Sequence, residues 1–400
     1  MNILVLAKKM PYPKKDGESI AIDVLCDGLH SEGAVVDLLA MNTSKHYSDL
    51  HTEDLSNTPF DSIDLVEVDN RVTLKGAFLN LFTPDSYHIS RFVSKAFEQK
   101  LISKLMQQRY DVIQLETVYM CAYLDVIRKN SSAKVVLRAH NIEHEIWERV
   151  INNESNPFKE GYLKYLNKKL KRFELSVLNK VDLLLPISER DNNLFRILGY
   201  KGTSFVVPIG IKSTSSIHTD TYKDLISFGF IGSLDWVPNQ EGLSWFVEHI
   251  WKPFHKLNPG HIFNIAGRNT PDWIKDANWP GTIVHGEVDS AESFTSDNEV
   301  MIVPLLSGSG MRAKILEALS LGRNIVTTKV GLEGIEVNEL NAVYVADKPS
   351  DFINHLEQLT KQNGEVKTHG QIAKDYVLNA YNYQKVGASL FNTYKECIKK

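Results

Sequence analysis

Cysteine is scarce: the 400 residues hold three, Cys26, Cys121 and Cys397. An odd, scattered set excludes a disulfide framework and fits a reducing compartment. Long apolar runs are missing too. The N-terminal run covers only Ile3 to Ala7, far short of a signal h-region or of the ~18 residues of a membrane span. No later stretch approaches that length without a charge. Excess charge of one sign is also lacking. Lys plus Arg number 45 and Asp plus Glu 49, a net −4, which gives no general affinity for nucleic acid. There is no tandem repeat of short period and no Walker A phosphate loop. What remains is ordinary globular composition, 43% apolar and 24% charged. The length suggests two domains with cores of their own.

Short apolar runs at 2–7, 34–40, 63–68, 111–115, 134–138, 181–185 and 203–207 read as buried strands. Helical spacing separates most of them, as at 18–31, 88–109, 118–128, 158–180 and 188–198. Fully apolar strands alternating with helices predict a parallel sheet covered on both faces. The pattern stops around 208–224, where Ser and Thr accumulate without periodicity. It restarts with strands near 226–231, 261–266, 282–285, 299–305, 323–328 and 342–346. The expected class is α/β. A Rossmann-like domain covers 1–208, a linker 209–224, a second Rossmann-like domain 225–375 and a C-terminal helix 376–400. Basic and acidic residues number 27 each up to Pro208, and 18 and 22 beyond it. Ligands of open parallel sheets bind at the carboxyl ends of strands, so the loops just after strands are where chemistry is expected.

The most informative segment is SGSGMRAKILEALSLGRNIVTT, residues 307–328. A strand is expected to end at Leu306. Gly308 and Gly310 lead into a helix from Met311 to Leu321, and Gly322 stops it. Glycines at such a point let a ligand reach backbone N–H groups at a helix N-terminus, a place for phosphate. Arg312 and Lys314 fall in the first turn, where a cation faces the positive end of the macrodipole. A bound diphosphate would remove that local conflict. The plainer reading turns both side chains to solvent, with Lys314 and Glu317 paired three residues apart. Gly308, Gly310 and Ala313 also fit G-x-G-x-x-A, a dinucleotide fingerprint. Its late position argues against that reading. So does the next strand, which ends in Thr327, Thr328 and Lys329 without the acidic residue that holds a ribose.

VVLRAHNIEHE sets His140 just after a strand, at a binding position of an open sheet; the plainer reading is a surface histidine in a loop. HNIEH also fits H-x-x-E-H, an inverted zinc-peptidase motif. That chemistry needs His140 and His144 as ligands on one helix face, which the β-like VVLRA opposes. Glu67, Val68 and Asp69 resemble a metal-binding D-x-D only loosely. Residues 158–180 carry seven basic and two acidic side chains. Leu163, Leu166, Leu170, Phe173 and Val177 form one stripe, with Lys164, Lys168, Lys171 and Arg172 roughly opposite. This is either a core-packed helix with a solvated face or a surface for anionic lipid.

Taken together, these segments resemble family 4 of the glycosyltransferases with GT-B fold. The resemblance spans nearly the whole chain. Its second half contributes FIGSLDWVPNQEGLSWF, NIAGRNTPDW, residues 307–322 and VGLEGI. Its first half contributes MPYPKKDGES, LRAHNIEHEIWERV and PISERD. YNYQKVGASLFNTYKE looks like the family's closing helix, which crosses back onto the first domain. The resemblance implies two Rossmann-like domains facing a cleft. It implies that Glu317 holds the donor ribose and that Arg312 and Lys314 lie at the diphosphate. Gly232 and Ser233 would form the turn that admits the diphosphate. Gly267, Arg268, His285, Gly286, Glu287 and Val288 would surround the nucleobase. Ser307, Gly308, Ser309, Gly310 and Met311 would form the donor loop. His140 would lie near donor sugar and acceptor with Asn141 beside it, and Gly17 where the loop after the first strand approaches both. Glu116, after the strand ending at Leu115, would hold an acceptor hydroxyl or cap a helix. Two departures stand out. Many members carry a second glutamate eight residues before the ribose glutamate, where this chain has Ser309. The usual Arg and Lys after the first strand of the second domain are replaced by Ser233 and Asp235.

The implied activity is retaining transfer of a sugar from a UDP- or GDP-linked donor to a hydroxyl of a glycan or lipid-linked acceptor. The setting would be cell-envelope polysaccharide or glycolipid synthesis. Catalysis falls to His140, Arg312 and Lys314, with no metal or other cofactor. The expected location is cytoplasmic, with peripheral contact at the inner face of the membrane through 158–180. The alternatives are a nucleotide-sugar epimerase of the same fold, an NAD-dependent oxidoreductase, a zinc peptidase and a non-catalytic sugar-binding protein.

Overall fold

The computed structural model describes residues 1–14, 16–44, 47–49, 55, 57–152, 154–212, 225–308, 310–337 and 340–399. The chain forms two compact units. Unit 1 is Met1–Gly210 with Tyr383–Lys400, and unit 2 is Ile211–Asn382. Most of the expected linker, 213–224, lies outside the described residues.

Unit 1 is built on seven parallel strands: β1 (Asn2–Ala7), β2 (Val35–Thr43), β3 (Ser62–Val68), β4 (Val112–Glu116), β5 (Lys134–Ala139), β6 (Leu183–Pro186) and β7 (Thr203–Ser204). Their order is β3-β2-β1-β4-β5-β6-β7. The apolar runs are continuous because helices cover both faces. Leu4 and Leu6 pack into one core while Ile3, Val5 and Ala7 pack into the other, the two-residue alternation of a strand. β7 is shorter than expected, although Phe205 and Val207 still donate backbone hydrogen bonds to Leu184 and Pro186.

Helices depart from expectation where a polar cap intervenes. The expected 88–109 helix breaks into Tyr87–Ser90 and Lys95–Gln107. Ser94 starts the second piece by accepting from the Phe97 N–H at 3.3 Å. The 118–128 stretch is a 3₁₀ turn, Val118–Tyr123, followed by Leu124–Asn130. Helices Leu74–Asn80 and Glu143–Asn152 were not expected. The basic helix is Pro157–Leu178. Its stripe faces inward at Leu166, Leu170 and Val177. Its basic face is less uniform than the spacing suggested. Lys169 is buried and donates to the Asn80 and Thr83 carbonyls at 2.6 Å each. Lys159, Lys164 and Lys171 pair with Glu154, Glu160 and Glu148.

Unit 2 carries six parallel strands: β8 (Ser227–Ile231), β9 (Ile262–Ala266), β10 (Thr282–Gly286), β11 (Val300–Val303), β12 (Asn324–Thr327) and β13 (Val343–Val345). Their order is β10-β9-β8-β11-β12-β13. An aromatic cluster of Phe228, Phe246, Trp251, Phe254, Phe263 and Phe352 fills the core. Strand order reverses between β1 and β4 in unit 1 and between β8 and β11 in unit 2. At such reversals the neighbouring loops part, leaving room for a ligand at the carboxyl edge.

The expected 376–400 helix is divided. Residues up to Ala380 end helix Asn363–Ala380 of unit 2, where Tyr381 accepts from the Ile211 N–H at 2.7 Å. Helix Tyr383–Lys399 returns to unit 1 and packs on helix Gly17–Ser31. The two meet at glycines. A Cβ on Gly387 would lie 2.4 Å from the Gly28 carbonyl carbon, and backbone cannot yield as a flexible side chain would. Gly387→Ala should therefore force the helices apart and cost about 1–3 kcal/mol. A lower denaturant midpoint with an unchanged slope is the expected result.

Candidate active site

In unit 2 the loops at the carboxyl ends of β8, β9 and β10 are tied together by backbone. Gly232 N–H donates to Ala266 at 3.2 Å, Leu234 to Arg268 at 2.8 Å and Gly267 to Gly286 at 2.7 Å. A Cβ on Gly267 would sit 2.2 Å from the Gly232 carbonyl oxygen, so that glycine is sterically required. Onto this platform comes the 307–320 segment. Gly308 and Gly310 adopt φ of 112° and 82°, which glycine reaches without penalty. The helix begins at Ala313, later than expected, with Arg312 extended before it and no side chain capping the end.

Lys314 does not point to solvent. Its Nζ lies 3.3 Å from the Ile231 carbonyl and 3.2 Å from Asn239 Oδ1, donating to both. It also lies 5.1 Å from the Phe230 ring centroid. Lys314 and Glu317 do not meet as an ion pair, which removes the plainer reading of this helix. Arg312 is buried, donates from Nη1 to the Gly310 carbonyl at 2.9 Å and lies 5.9 Å from the Trp236 ring centroid. Burial, reinforced by the neighbouring Arg312 charge, brings the Lys314 ammonium down to about 7. Burial pushes Glu317 up, partly offset by Lys314. Two cations therefore stand together at the β8–β11 reversal.

Asn239 and Trp236 were missed as site residues. Both stand within FIGSLDWVPNQEGLSWF, the second just ahead of helix Val237–Phe246 and the first in its opening turn. Asn239 is buried and also donates from Nδ2 to the Ser233 carbonyl at 2.8 Å. It thus holds the glycine turn and the lysine together.

The structure brings Gly232, Ser233, Gly267, Gly308, Gly310, Arg312 and Lys314 into one region. Ser233 Oγ donates to Asp235 at 2.5 Å. Ser307 Oγ donates to Glu241 at 3.4 Å. Met311 is buried and Arg268 half-buried. Ser309 lies outside the described residues. Of the expected nucleobase group, His285 turns to Asn264 at 2.9 Å and to the Phe294 ring at 5.6 Å. Gly286 takes φ of 70° at a break in the β9–β10 register. Glu287 is exposed and Val288 half-buried.

In unit 1, His140 is buried rather than lying on the surface. Its Nε2 lies 2.5 Å from Glu116 Oε2. Glu116 neither caps a helix nor reaches solvent. It is fully buried, accepts from Gln114 Nε2, and lies 3.7 Å from Arg138. Burial alone would raise Glu116, but Arg138, His140 and Gln114 outweigh it and hold the carboxyl below its ordinary range. Gln114 Oε1 accepts from Tyr394 OH at 2.5 Å, so the chain of contacts ends in the C-terminal helix. Asn141 is half-buried beside His140. Gly17 is the first residue of its helix, not part of the preceding loop. Asp16 caps it and in turn pairs with Lys9 at 2.6 Å.

His140 and His144 do not form a metal pair. Helix Glu143–Asn152 begins after His140, and His144 Nδ1 lies 2.5 Å from Glu174 instead. Glu174 also accepts from the Glu143 and His144 N–H groups at 3.0 and 3.2 Å. Asp69 is occupied by a two-point contact with Arg71. Among the described residues no group of three or more His, Cys, Asp or Glu could hold a metal ion. Glu143 is buried, accepts from Tyr119 OH at 3.0 Å and is pushed up to about 7, chiefly by burial, with Lys8 opposing and Glu174 adding repulsion.

Residues 226–362 match the family model described as glycosyl transferases group 1. An uncharacterised 44.6 kDa protein of the Klebsiella pneumoniae cps region is 24% identical over 407 residues, covering 98% of this chain and 99% of the relative. Among solved structures, the sucrose-phosphate synthase of Thermosynechococcus elongatus aligns with TM-score 0.71 at 13% identity, covering 99% of both chains. TarM aligns with TM-score 0.70 at 11% identity, covering 98% of both. HepE of Anabaena, in complex with UDP and glucose, aligns with TM-score 0.66 at 14% identity, covering 99% of this chain and all of the other. With two parallel-sheet units, the chain has the GT-B fold.

The Glu143 carboxyl makes stability depend on pH. Its folded value, about 7, lies above its ordinary 4.5. Between these values the folded state binds more protons than the unfolded one, so stability falls as pH rises through that window. Glu143→Gln, which cannot ionise, should match wild type near pH 4 and be more stable above pH 7. Equal melting temperatures at both ends would contradict this.

Proposed function

We propose that the chain is a glycosyltransferase that moves a sugar from a nucleotide-diphosphate donor to a hydroxyl acceptor. The observation that carries this reading is the pair Arg312 and Lys314, gathered with the Gly232–Ser233 turn at the β8–β11 reversal. Two adjacent cations on a glycine platform suit a diphosphate. Fixed positive charge there would stabilise the leaving group as negative charge develops on it. The match of 226–362 to a glycosyl transferase domain and the UDP bound by HepE support a nucleotide donor. The cps-region relative supports a part in envelope polysaccharide synthesis.

In the proposed reaction the bond between the anomeric carbon and the diphosphate oxygen breaks. A bond to the acceptor oxygen forms with retention, and the acceptor proton passes to the leaving phosphate. No metal enters the proposal. Glu317, one turn beyond Lys314 on helix Ala313–Ser320, is assigned to the donor ribose. His140, held by Glu116, is assigned to the acceptor and donor sugar; Glu116 itself acts only through His140. UDP and GDP are both retained as donor classes.

Arg312→Ala and Lys314→Ala should each lower kcat/KM by more than about tenfold, 1.4 kcal/mol of transition-state binding. Wild-type values in both would remove the diphosphate site. Glu317→Ala should weaken nucleoside-diphosphate affinity by calorimetry. Lys314, at about 7 without a ligand, should rise beside a bound diphosphate and take up a proton. Calorimetry near pH 7.5 in buffers of different ionisation enthalpy should show that uptake in wild type and not in Lys314→Ala.

A further inference from the structure

Trp236 closes the loop after β8 and stands beside the cationic pair, yet the core of unit 2 does not use it. It is 41% exposed, whereas Trp251 of the same unit is fully buried. Trp251 donates its indole N–H to the Pro280 carbonyl at 2.8 Å. The indole N–H of Trp236 meets no acceptor among the described residues. A tryptophan is apolar over its rings and polar at one point, and that point normally finds a partner when the ring is covered. Two more apolar side chains flank it: Val237 is 58% exposed and Leu306 43%. Leu306 follows β11, so this rim is drawn from both sides of the β8–β11 reversal. A diphosphate needs cations and N–H donors and gains nothing from such a rim.

The backbone under the ring is tied down. The Trp236 carbonyl accepts from the Asn239 and Gln240 N–H groups at 3.0 and 3.3 Å. Asn239 also receives Lys314, and Gln240 Nε2 donates to the Leu234 carbonyl at 2.7 Å. A Cβ on Gly308 would lie 3.2 Å from the Trp236 ring, and the Arg312 guanidinium is 5.9 Å from its centroid. The indole therefore adjoins the 307–312 segment, ahead of helix Ala313–Ser320. Lys314 comes next along the chain and Glu317 one turn beyond it. With Glu317 assigned to the ribose and the two cations to the diphosphate, Trp236 stands at the opposite end from the nucleoside. A sugar joined to the second phosphate extends to that end.

We propose that Trp236 is the platform on which the sugar ring of the donor packs. A pyranose carries C–H groups on its faces and hydroxyls around its rim. The C–H groups of one face meet the electron-rich face of the indole. A rim hydroxyl accepts from the indole N–H, which supplies that group with its missing partner. Trp236 thus binds the part of the donor that the cations do not reach. This inference rests on the donor reading given above and adds the sugar end of the same site.

The test is calorimetry on the full chain with UDP, GDP, UDP-glucose, UDP-N-acetylglucosamine and GDP-mannose. Wild type is compared with Trp236→Ala and Trp236→Phe. Trp236→Ala should weaken the nucleotide sugar that wild type binds best by about fivefold or more, and the matching nucleoside diphosphate by less than about twofold. Trp236→Phe keeps a stacking face and should recover most of the difference. Because Trp236 is half out of the core, the three proteins should melt at the same temperature. Equal weakening of nucleotide sugar and nucleoside diphosphate by Trp236→Ala overturns the proposal, since the ring would then serve Arg312 or the nucleobase. Unchanged nucleotide-sugar affinity overturns it too, as does a wild type that binds UDP or GDP but none of the three nucleotide sugars. In all these cases the nucleoside diphosphate still binds wild type, so the donor reading stands without the platform. Failure of wild type to bind either UDP or GDP removes the donor reading itself, and the platform with it.

Discussion

Unit 1 depends on a carboxylate with no exposure to solvent. Glu116 ends β4 and gathers Gln114, Arg138 and His140 around it. A buried charge is tolerated only when its partners are close and well directed, and losing one of them typically costs about 3–5 kcal/mol. These partners come from β4, β5 and the loop after β5, and Tyr394 of the last helix completes the line. The same contacts that make the charge bearable also fix the imidazole of His140. Fold stability and side-chain aim therefore have a single cause here.

Unit 2 treats charge in the opposite way. Where unit 1 balances a buried anion internally, unit 2 brings Arg312 and Lys314 together, and the Arg312 charge adds to burial in lowering the Lys314 ammonium. Lys314 relies on neutral acceptors, the Ile231 carbonyl and Asn239, rather than on a carboxylate. Its proton is held loosely as a result. Glu317 offsets the lowering of Lys314 only in part.

Much of the architecture was legible because burial on both faces writes uninterrupted apolar runs into the sequence. Most strands among the described residues fall on such runs, as Asn2–Ala7 and Val300–Val303 do, while the edge strands β3, with Asp64 and Glu67, and β7, Thr203–Ser204, are interrupted or polar. The cationic pair was legible as a conflict between Arg312, Lys314 and the helix end. What escaped were features decided by distant partners. Glu116 and His140 are 24 residues apart, and nothing local to either says they touch. Helix Glu143–Asn152 starts where Glu174, on another helix, supplies the acceptor for its free N–H groups. Asn239 reads as an ordinary first-turn residue until Lys314 arrives from 75 positions away. Helix Leu74–Asn80 escaped for a different reason: its apolar spacing faces solvent, contrary to the rule used to find helices.

The return of Tyr383–Lys399 to unit 1 makes that unit discontinuous, with the whole of Ile211–Asn382 inserted within it. During synthesis, unit 2 has its full sequence while unit 1 still lacks Gly387, Leu390 and Tyr394. A ribosome making this chain would thus finish its second globule first. The first must wait, with the helix face around Gly28 uncovered, for Tyr383–Lys399 to emerge. Loss of Tyr383–Lys399 would accordingly injure the N-terminal unit and spare the one next to it in sequence.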